Sequence, residues 1–245
     1  MLAAGAALAV ASAVYLGVTW SGTRNNPAPG TSTTSDGPAS PPAQPATPAG
    51  TPVLLDDDFV TTRRLGPQPR FNARPDYCRT AYGPEGLAIE AVLPTAACEY
   101  VLYTFQAPLV EFHVEADVRT DRLPMNAREF GIRFAEWRPG DPDSPLTYRG
   151  AVSGIDNFAI HESQGTRETR LFHREVENFV RAGEGYRNSF RVDVKGRSMT
   201  WSLNGTHLST IQTRANMAGE VSVYLEGQGL RVLFERLQVV AGTSQ

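Results

Sequence analysis

The stretch NSFRVDVKGRSMTWSLNGTHLSTIQ, residues 188–212, decides the fold. Two runs within it carry apolar side chains at every second position: Phe190, Val192 and Val194, then Met199, Trp201 and Leu203. This period is typical of strands that bury one face, and it assigns Trp201 to the core. The dipeptide Asn204-Gly205 that follows favours a two-residue hairpin turn. The stretch therefore predicts two strands, a tight turn and a return strand.

The same alternation recurs along the chain on the N-terminal side of this stretch. It is found in LAIEAV, EYVLYTF, VEFHVEADVR, EFGIRFAEW, NFAIHES and TRLFHREV, and no convincing long helix interrupts these runs. In EFGIRFAEW the predicted core face holds Phe130, Ile132 and Phe134. Arg133 and, in NFAIHES, His161 then fall on the opposite face. The pattern predicts an all-β, antiparallel two-sheet sandwich.

The N-terminal part of the chain has a different composition. Residues 1–20 contain no charged side chain and are long enough to cross a bilayer core of about 30 Å. The small-residue triplet at 11–13 resembles a signal cleavage site, whereas the apolar run continues to Trp20, so a cleaved signal and a retained anchor both remain open. Residues 21–51 are rich in Pro, Ser and Thr and predict a disordered linker. We expect residues 52–245 to form an extracytoplasmic domain, tethered to the cell membrane or secreted.

Charge and cysteine content exclude some partners. The 245 residues carry a formal net charge of −3, which provides no basic field for nucleic acid. The two cysteines, Cys78 and Cys98, predict one disulfide if the domain is extracytoplasmic, and two buried free thiols are the alternative. Without nearby histidines they make a poor zinc site.

The stretch 188–212 and the later run AGEVSVYLEGQGLRVLFERLQVV resemble the closing strands of concanavalin A-like (laminin G-like) jelly rolls. The likeness is greatest to 3-keto-disaccharide hydrolase-like domains of bacterial surfaces, and LLDDDF and FGIRF are similar to the first and middle strands of that group. The resemblance covers about residues 52–240 as a pattern of strands and turns. It implies a jelly-roll sandwich and points to carbohydrate as the ligand class.

Members of this superfamily that hydrolyse β-glucans carry a Glu-x-Asp-x-x-Glu motif on one strand. The nearest approach in this chain is Glu115-Ala116-Asp117, where Thr120 stands in place of the third acid. Glu115 and Asp117 are therefore weak catalytic candidates, and an exposed polar strand face is the simpler interpretation.

Ligand-binding candidates come from the middle of the chain. The segment RPGDPDSPLTYRG, residues 138–150, predicts a long loop, with Trp137 directly before it and Tyr148 near its end. We expect their side chains to reach a groove beside Arg133 and His161 on the non-core face, where hydroxyl-rich ligands could bind. Packing of these aromatics against the loop is the alternative.

Three adjacent acids at the start of the domain, Asp56, Asp57 and Asp58, could contribute to a structural calcium site. Adjacent strand residues point to opposite faces, so a solvated strand end is the competing interpretation. No other cofactor is expected.

The function that the sequence favours is a non-catalytic module that binds glycan or another component of the cell envelope. A carbohydrate-active hydrolase and a structural surface domain with a protein partner are the alternatives.

Overall fold

Strands form all the regular structure that is described. The computed structural model describes residues 52–61, 68–69, 76–93, 97–124, 129–136, 146–154, 157–176 and 185–242. The predicted N-terminal segment and linker, together with Trp137, lie outside these residues. Within the described ranges there is no helix of the length and hydropathy needed to cross a bilayer.

Fifteen strands are present in the described residues. In chain order they are β1 Val53–Asp57, β2 Gln68–Pro69, β3 Cys78–Gly83, β4 Gly86–Ala91, β5 Ala97–Thr104, β6 Glu111–Arg122, β7 Glu129–Ala135, β8 Thr147–Ser153, β9 Asn157–Gln164, β10 Arg167–Glu175, β11 Arg187–Lys195, β12 Ser198–Leu203, β13 Thr206–Gln212, β14 Glu220–Glu226 and β15 Arg231–Ala241.

The strands form two antiparallel sheets. The eight-stranded sheet has the order β13-β12-β11-β6-β15-β4-β3, with β1 paired to β15. The seven-stranded sheet has the order β10-β9-β8-β7-β14-β5-β2. Each sheet joins strands that are far apart in the sequence, since β15 pairs with β6 and β14 pairs with both β5 and β7. This arrangement confirms the predicted all-β two-sheet sandwich.

The core lies between the sheets and follows the period-two pattern. Phe130, Ile132 and Phe134 of β7 are buried, as predicted. Trp201 of β12, in the other sheet, is 1% exposed, and its ring centroid lies 5.6 Å from that of Phe134. A Cβ atom on Gly150 would lie 2.3 Å from the Trp201 ring, so the glycine makes room for the indole. The prediction that Trp201 is a core residue is confirmed.

The hairpin between β12 and β13 turns at Asn204-Gly205, as predicted. Both residues have positive φ, 50° and 77°, as a type I′ turn requires. Asn204 Oδ1 accepts the Ser189 backbone N–H at 2.8 Å, and its Nδ2 donates to Asn188 Oδ1 at 2.9 Å. The asparagine thus ties the turn to the neighbouring strand β11.

Cys78 and Cys98 form a disulfide, as predicted. Cys78 belongs to β3 of the eight-stranded sheet and Cys98 to β5 of the seven-stranded sheet, so the bond joins the two sheets. Both cysteines are buried. Closing a loop of this length stabilises the fold by about 3 kcal/mol on the chain-entropy account.

Candidate functional site

Four adjacent strands of the seven-stranded sheet present a row of basic side chains. Arg133 of β7 pairs with Arg149 of β8, Arg149 pairs with His161 of β9, and His161 pairs with Arg170 of β10. Directly paired residues point to the same face of a sheet. Because Phe134 and Ile160, the sequence neighbours of Arg133 and His161, are buried in the core, this basic row lies on the outer face.

Small residues lie beside the basic row. Gly131, Ala151 and Ala159 form the next register row on the same face. A Cβ atom on Gly131 would lie 2.0 Å from the carbonyl oxygen of Gly150, so this position accepts only glycine without a shift of the backbone. Tyr224 of β14 pairs with Gly131 and so belongs to the same register row, and Ala151 and Ala159 are buried.

A carboxylate and a hydroxyl group hold the first arginine of the row. Arg133 Nη1 donates to Glu99 of β5, and its Nη2 donates to Thr147 Oγ1 at 3.1 Å. Glu99 also accepts a hydrogen bond from Ser222 Oγ of β14 at 3.0 Å. Although Arg133 and Glu99 are far apart in sequence, the strand order β7-β14-β5 brings them together. The guanidinium is therefore held in place by groups of the sheet itself.

Arg149 is the centre of the network. Its Nη2 lies 2.6 Å from Glu129 Oε1 and 3.4 Å from Glu168 Oε1. Its guanidinium carbon lies 4.2 Å from the centroid of the Tyr224 ring, which is a cation–π geometry. The side chain is only 11% exposed. The buried Nε atom of Arg149 has no hydrogen-bond partner among the described residues.

Tyr224 supports Arg149 from β14. The residue is 8% exposed, and its hydroxyl donates to Glu226 Oε2 at 2.5 Å. Burial raises the pKa of Tyr224, so the phenol stays neutral. A neutral ring that is held in place on one side of Arg149 restricts the guanidinium plane.

His161 completes the site next to Arg149. Its Nδ1 lies 2.9 Å from Glu168 Oε1, without the alignment of a hydrogen bond. Glu168 Oε2 also accepts from Ser163 Oγ at 3.3 Å. Burial, followed by the positive charge of Arg149, lowers the pKa of His161. The imidazole is therefore neutral at pH 7.

Two of the ligand-binding candidates lie where the sequence placed them. Arg133 and His161 share the outer face of the seven-stranded sheet, as predicted. Tyr148 does not, and its placement beside them was wrong. It pairs with Phe134 on the core face and has no accessible surface. Its hydroxyl donates to Glu162 Oε2 at 2.5 Å and accepts the backbone N–H of Arg214 at 3.0 Å, so the residue supports the sandwich from within.

The misplacement of Tyr148 has a simple cause. The predicted loop over residues 138–150 is wrong at its C-terminal end, because β8 begins at Thr147. Strand alternation from that point sends Tyr148 inward and Arg149 outward. Arg149 could have been found from the sequence by starting strand β8 at Thr147, because strand alternation then places Arg149 on the outer face. Tyr224 and Glu99 could not, because they reach the site only through the pairing of distant strands.

The weak catalytic candidates lie on the other sheet. Glu115 and Asp117 are on the outer face of β6, and Glu115 Oε1 lies 2.6 Å from Arg191 Nη1. Thr120, at the position of the missing acid, is 2% exposed and belongs to the buried set of β6. A carboxylate at that position would enter the interior rather than join the other two.

The three N-terminal acids each have separate partners. Asp56 Oδ1 accepts from Arg236 Nε at 2.8 Å, and this hydrogen bond lowers the pKa of Asp56. Asp57 is buried and accepts the backbone N–H of Phe59 at 2.7 Å, whereas Asp58 accepts the backbone N–H of Thr61 at 2.7 Å. Among the described residues, no group of three or more acid, histidine or cysteine side chains is placed to hold a metal ion. Structural calcium stays a prediction that these contacts do not support.

No protein-family model matches the chain, and no curated protein matches it. Its fold is similar to solved structures. A protein of unknown function with a galectin-like fold from Bacillus subtilis is 9% identical, with a TM-score of 0.56 over 77% of this chain and 96% of the other. The carbohydrate recognition domain of Emp46p, in its metal-free form, is 7% identical, with a TM-score of 0.52 over 68% and 87%.

A third similar structure is the CBM2 module of the evolved Dit protein of Lactobacillus casei BL23 phage J-1. It is 11% identical, with a TM-score of 0.51 over 79% of this chain and 97% of the other. At such identities the likeness concerns the fold alone. The described residues thus have a fold similar to a galectin-like jelly-roll sandwich, which is consistent with the predicted concanavalin A-like architecture. The narrower resemblance to 3-keto-disaccharide hydrolase-like domains stays a prediction.

Proposed function

We propose that the folded domain is a non-catalytic glycan-binding module, and that the outer face around the basic row is its binding face. The observation that carries this proposal is the setting of Arg149. Its guanidinium is held over Tyr224 and between Glu129 and Glu168, while its Nε has no partner in the described part of the chain. A partly buried arginine with fixed partners is more typical of a ligand-binding site than of a surface that only keeps the protein soluble.

The chemistry of the face fits a neutral sugar. Sugar hydroxyls both donate and accept hydrogen bonds, so they match a surface where fixed donors alternate with fixed acceptors. Arg133 with Glu99, and Arg149 with Glu129 and Glu168, provide such alternation. Because a carboxylate already balances each of these arginines, the face has little surplus charge for an anionic group. The expected ligand is therefore an uncharged glycan rather than a sulfated or uronic one.

Two similar structures lend further support through their own names. One is called a carbohydrate recognition domain and the other a CBM2 module. The sequence identities are too low to transfer a ligand to this chain. They make glycan binding the first property to test.

We also propose that the module works outside the cytoplasm, tethered to the cell membrane by residues 1–20, or secreted if that segment is cleaved. The disulfide Cys78–Cys98 supports this location, because such bonds persist in oxidising compartments. The linker predicted for residues 21–51 would then hold the domain away from the membrane.

Binding to a glycan array tests the proposed function. The full chain, purified in a non-ionic detergent, is compared with Arg149→Ala and with Arg191→Ala. Arg191 is a matched control, because it is also an outer-face arginine paired with carboxylates, Glu115 and Asp193, but on the eight-stranded sheet. Wild type and Arg191→Ala should bind the same neutral glycans, and Arg149→Ala should lose them. Absence of binding by the wild type, or equal binding by all three proteins, would contradict the proposal.

A further inference from the structure

We infer that the binding face releases its ligand on acidification, through protonation of His161. This inference rests on the proposed glycan-binding function, whose regulation it concerns. The observation behind this inference is that one carboxylate, Glu168, is in contact with His161, Arg149 and Ser163 at the same time. A proton on the histidine changes how that carboxylate is shared.

The charged groups that face His161 come from both neighbouring strands. Arg149 faces it from β8, whereas Glu168 and Arg170 face it from β10. On its own strand the outward neighbours, Ala159 and Ser163, carry no charge. His161 is therefore a neutral member of a row whose other members are arginines, and within the described part of the chain Glu168 is the carboxylate in contact with it.

Protonation alters the hydrogen-bonding character of the face. A neutral imidazole keeps one nitrogen as an acceptor, whereas an imidazolium ion has two donors and no acceptor. A sugar hydroxyl that donates to His161 would lose its partner. The new charge would also draw Glu168 toward His161 and away from Arg149 and Ser163, so the acceptor oxygens offered to a ligand would change position.

The sign of the pH effect follows from these contacts. Burial and Arg149 hold the pKa of His161 below its ordinary value of 6.5, so the binding-competent neutral form predominates at pH 7. A ligand that selects the neutral form binds with full affinity above that pKa and loses affinity as the pH falls through it. Well below the pKa the loss approaches about tenfold for each pH unit.

The test compares array binding at about pH 7.5 and about pH 4, because burial and Arg149 move the titration of His161 below the ordinary range of histidine. The probes are the fluorescently detected neutral oligosaccharides of the array itself, and the protein is the full chain in non-ionic detergent. His161→Gln removes the titration while keeping a polar side chain. His113→Gln is the matched control, because burial and Arg191 also lower the pKa of His113, which lies on the outer face of the other sheet.

The wild type and His113→Gln should bind more weakly at the lower pH, by more than about twofold, whereas His161→Gln should change by less than about twofold. Equal wild-type binding at both pH values overturns the inference and leaves the proposed function intact. The inference is also overturned, and the proposed function left intact, if His161→Gln keeps the wild-type pH dependence. General unfolding in acid would give that result. Stronger binding at the lower pH overturns the inference as well. No binding at either pH removes the proposed function and the inference together.

Discussion

The two outer faces of the sandwich use the same residue types in different surroundings. On the eight-stranded sheet, Arg191 lies between Glu115 and Asp193 with its side chain 31% exposed. On the seven-stranded sheet, Arg149 lies between Glu129 and Glu168 with its side chain 11% exposed and an aromatic ring against it. The two arginines form similar ion pairs, but they differ in exposure and in whether an aromatic ring packs against them.

This difference separates a solvated surface from a candidate site. Exposed ion pairs contribute about 0–1 kcal/mol each and suit a strand face that meets water. Recessed pairs cost desolvation, which folding alone does not require. The outer face of the eight-stranded sheet also pairs Arg187 with Glu235 and Arg236 with Asp56, all at partly exposed positions. The proposed ligand recognition would give a physical reason for the more costly arrangement on the other sheet.

The largest effect is expected where the seven-stranded sheet depends on a close backbone approach. Gly131→Ala should lower the free energy of unfolding by about 3 kcal/mol or more, because its Cβ would lie 2.0 Å from the Gly150 carbonyl oxygen. Gly196→Ala, in the turn between β11 and β12 of the other sheet, meets nothing within 4 Å and should cost about 1 kcal/mol through its positive φ. Urea unfolding followed by tryptophan fluorescence measures both. Equal losses of unfolding free energy would mean that the two positions tolerate an added Cβ atom equally well.

Removal of the bond between the sheets should affect both faces at once. The double substitution Cys78→Ala with Cys98→Ala is expected to lower the free energy of unfolding by about 3 kcal/mol. Reduction of the wild type under native conditions should be slow, because both cysteines are buried. Denaturant unfolding with and without reductant measures the effect. A double variant as stable as the wild type would show that core packing alone aligns the sheets.

The next comparison concerns the two matched arginines. Arg149→Ala should lower the free energy of unfolding by about 1–3 kcal/mol, because it removes the recessed ion pair with Glu129, in which the two side chains are 11% and 12% exposed. Arg191→Ala should cost less than about 1 kcal/mol, because the Arg191 side chain is 31% exposed and water screens its ion pairs. Thermal unfolding by circular dichroism measures both, and Arg149→Lys adds a variant that keeps the charge without the planar fork. If both alanine variants melted together, the contrast between the faces would lose its energetic basis.

The smallest effect is expected from salt. If the ligand is a neutral glycan, its affinity should change by less than about twofold between about 0.05 M and about 0.5 M sodium chloride, because no long-range attraction contributes. Titration of the best array glycan at the two salt concentrations measures this. A steep fall in affinity with salt would instead indicate an anionic ligand, and the paired carboxylates would then have been misinterpreted.

The sequence predicted the fold better than the site, for a physical reason. Strand alternation is a local property, so the core positions of Phe134 and Trp201 could be predicted from a few neighbouring residues. The disulfide followed from there being only two cysteines. Arg133 and His161 were placed on the correct face by the same alternation.

The remaining parts of the site depend on pairing between distant strands. Glu99 and Tyr224 come from β5 and β14, and the strand order that brings them to Arg133 and Arg149 cannot be read from local periodicity. Tyr148 was misplaced because a run of Pro and Gly concealed the start of β8, and a shift of one residue reverses the face. The site can therefore be identified only when the strand order and the strand register are known.

The pairing of β1 with β15 bears on how the domain carries mechanical load. β1 begins at Val53, directly after the predicted linker, and it pairs antiparallel with β15 from Val53↔Val240 to Asp57↔Leu237. β15 is also paired with β6 and β4, so it is an interior strand of its sheet. If residues 1–20 anchor the domain as proposed, tension from that anchor would pass from β1 directly into the middle of the eight-stranded sheet. The face around Arg149, on the opposite sheet, would stay outside that line of force.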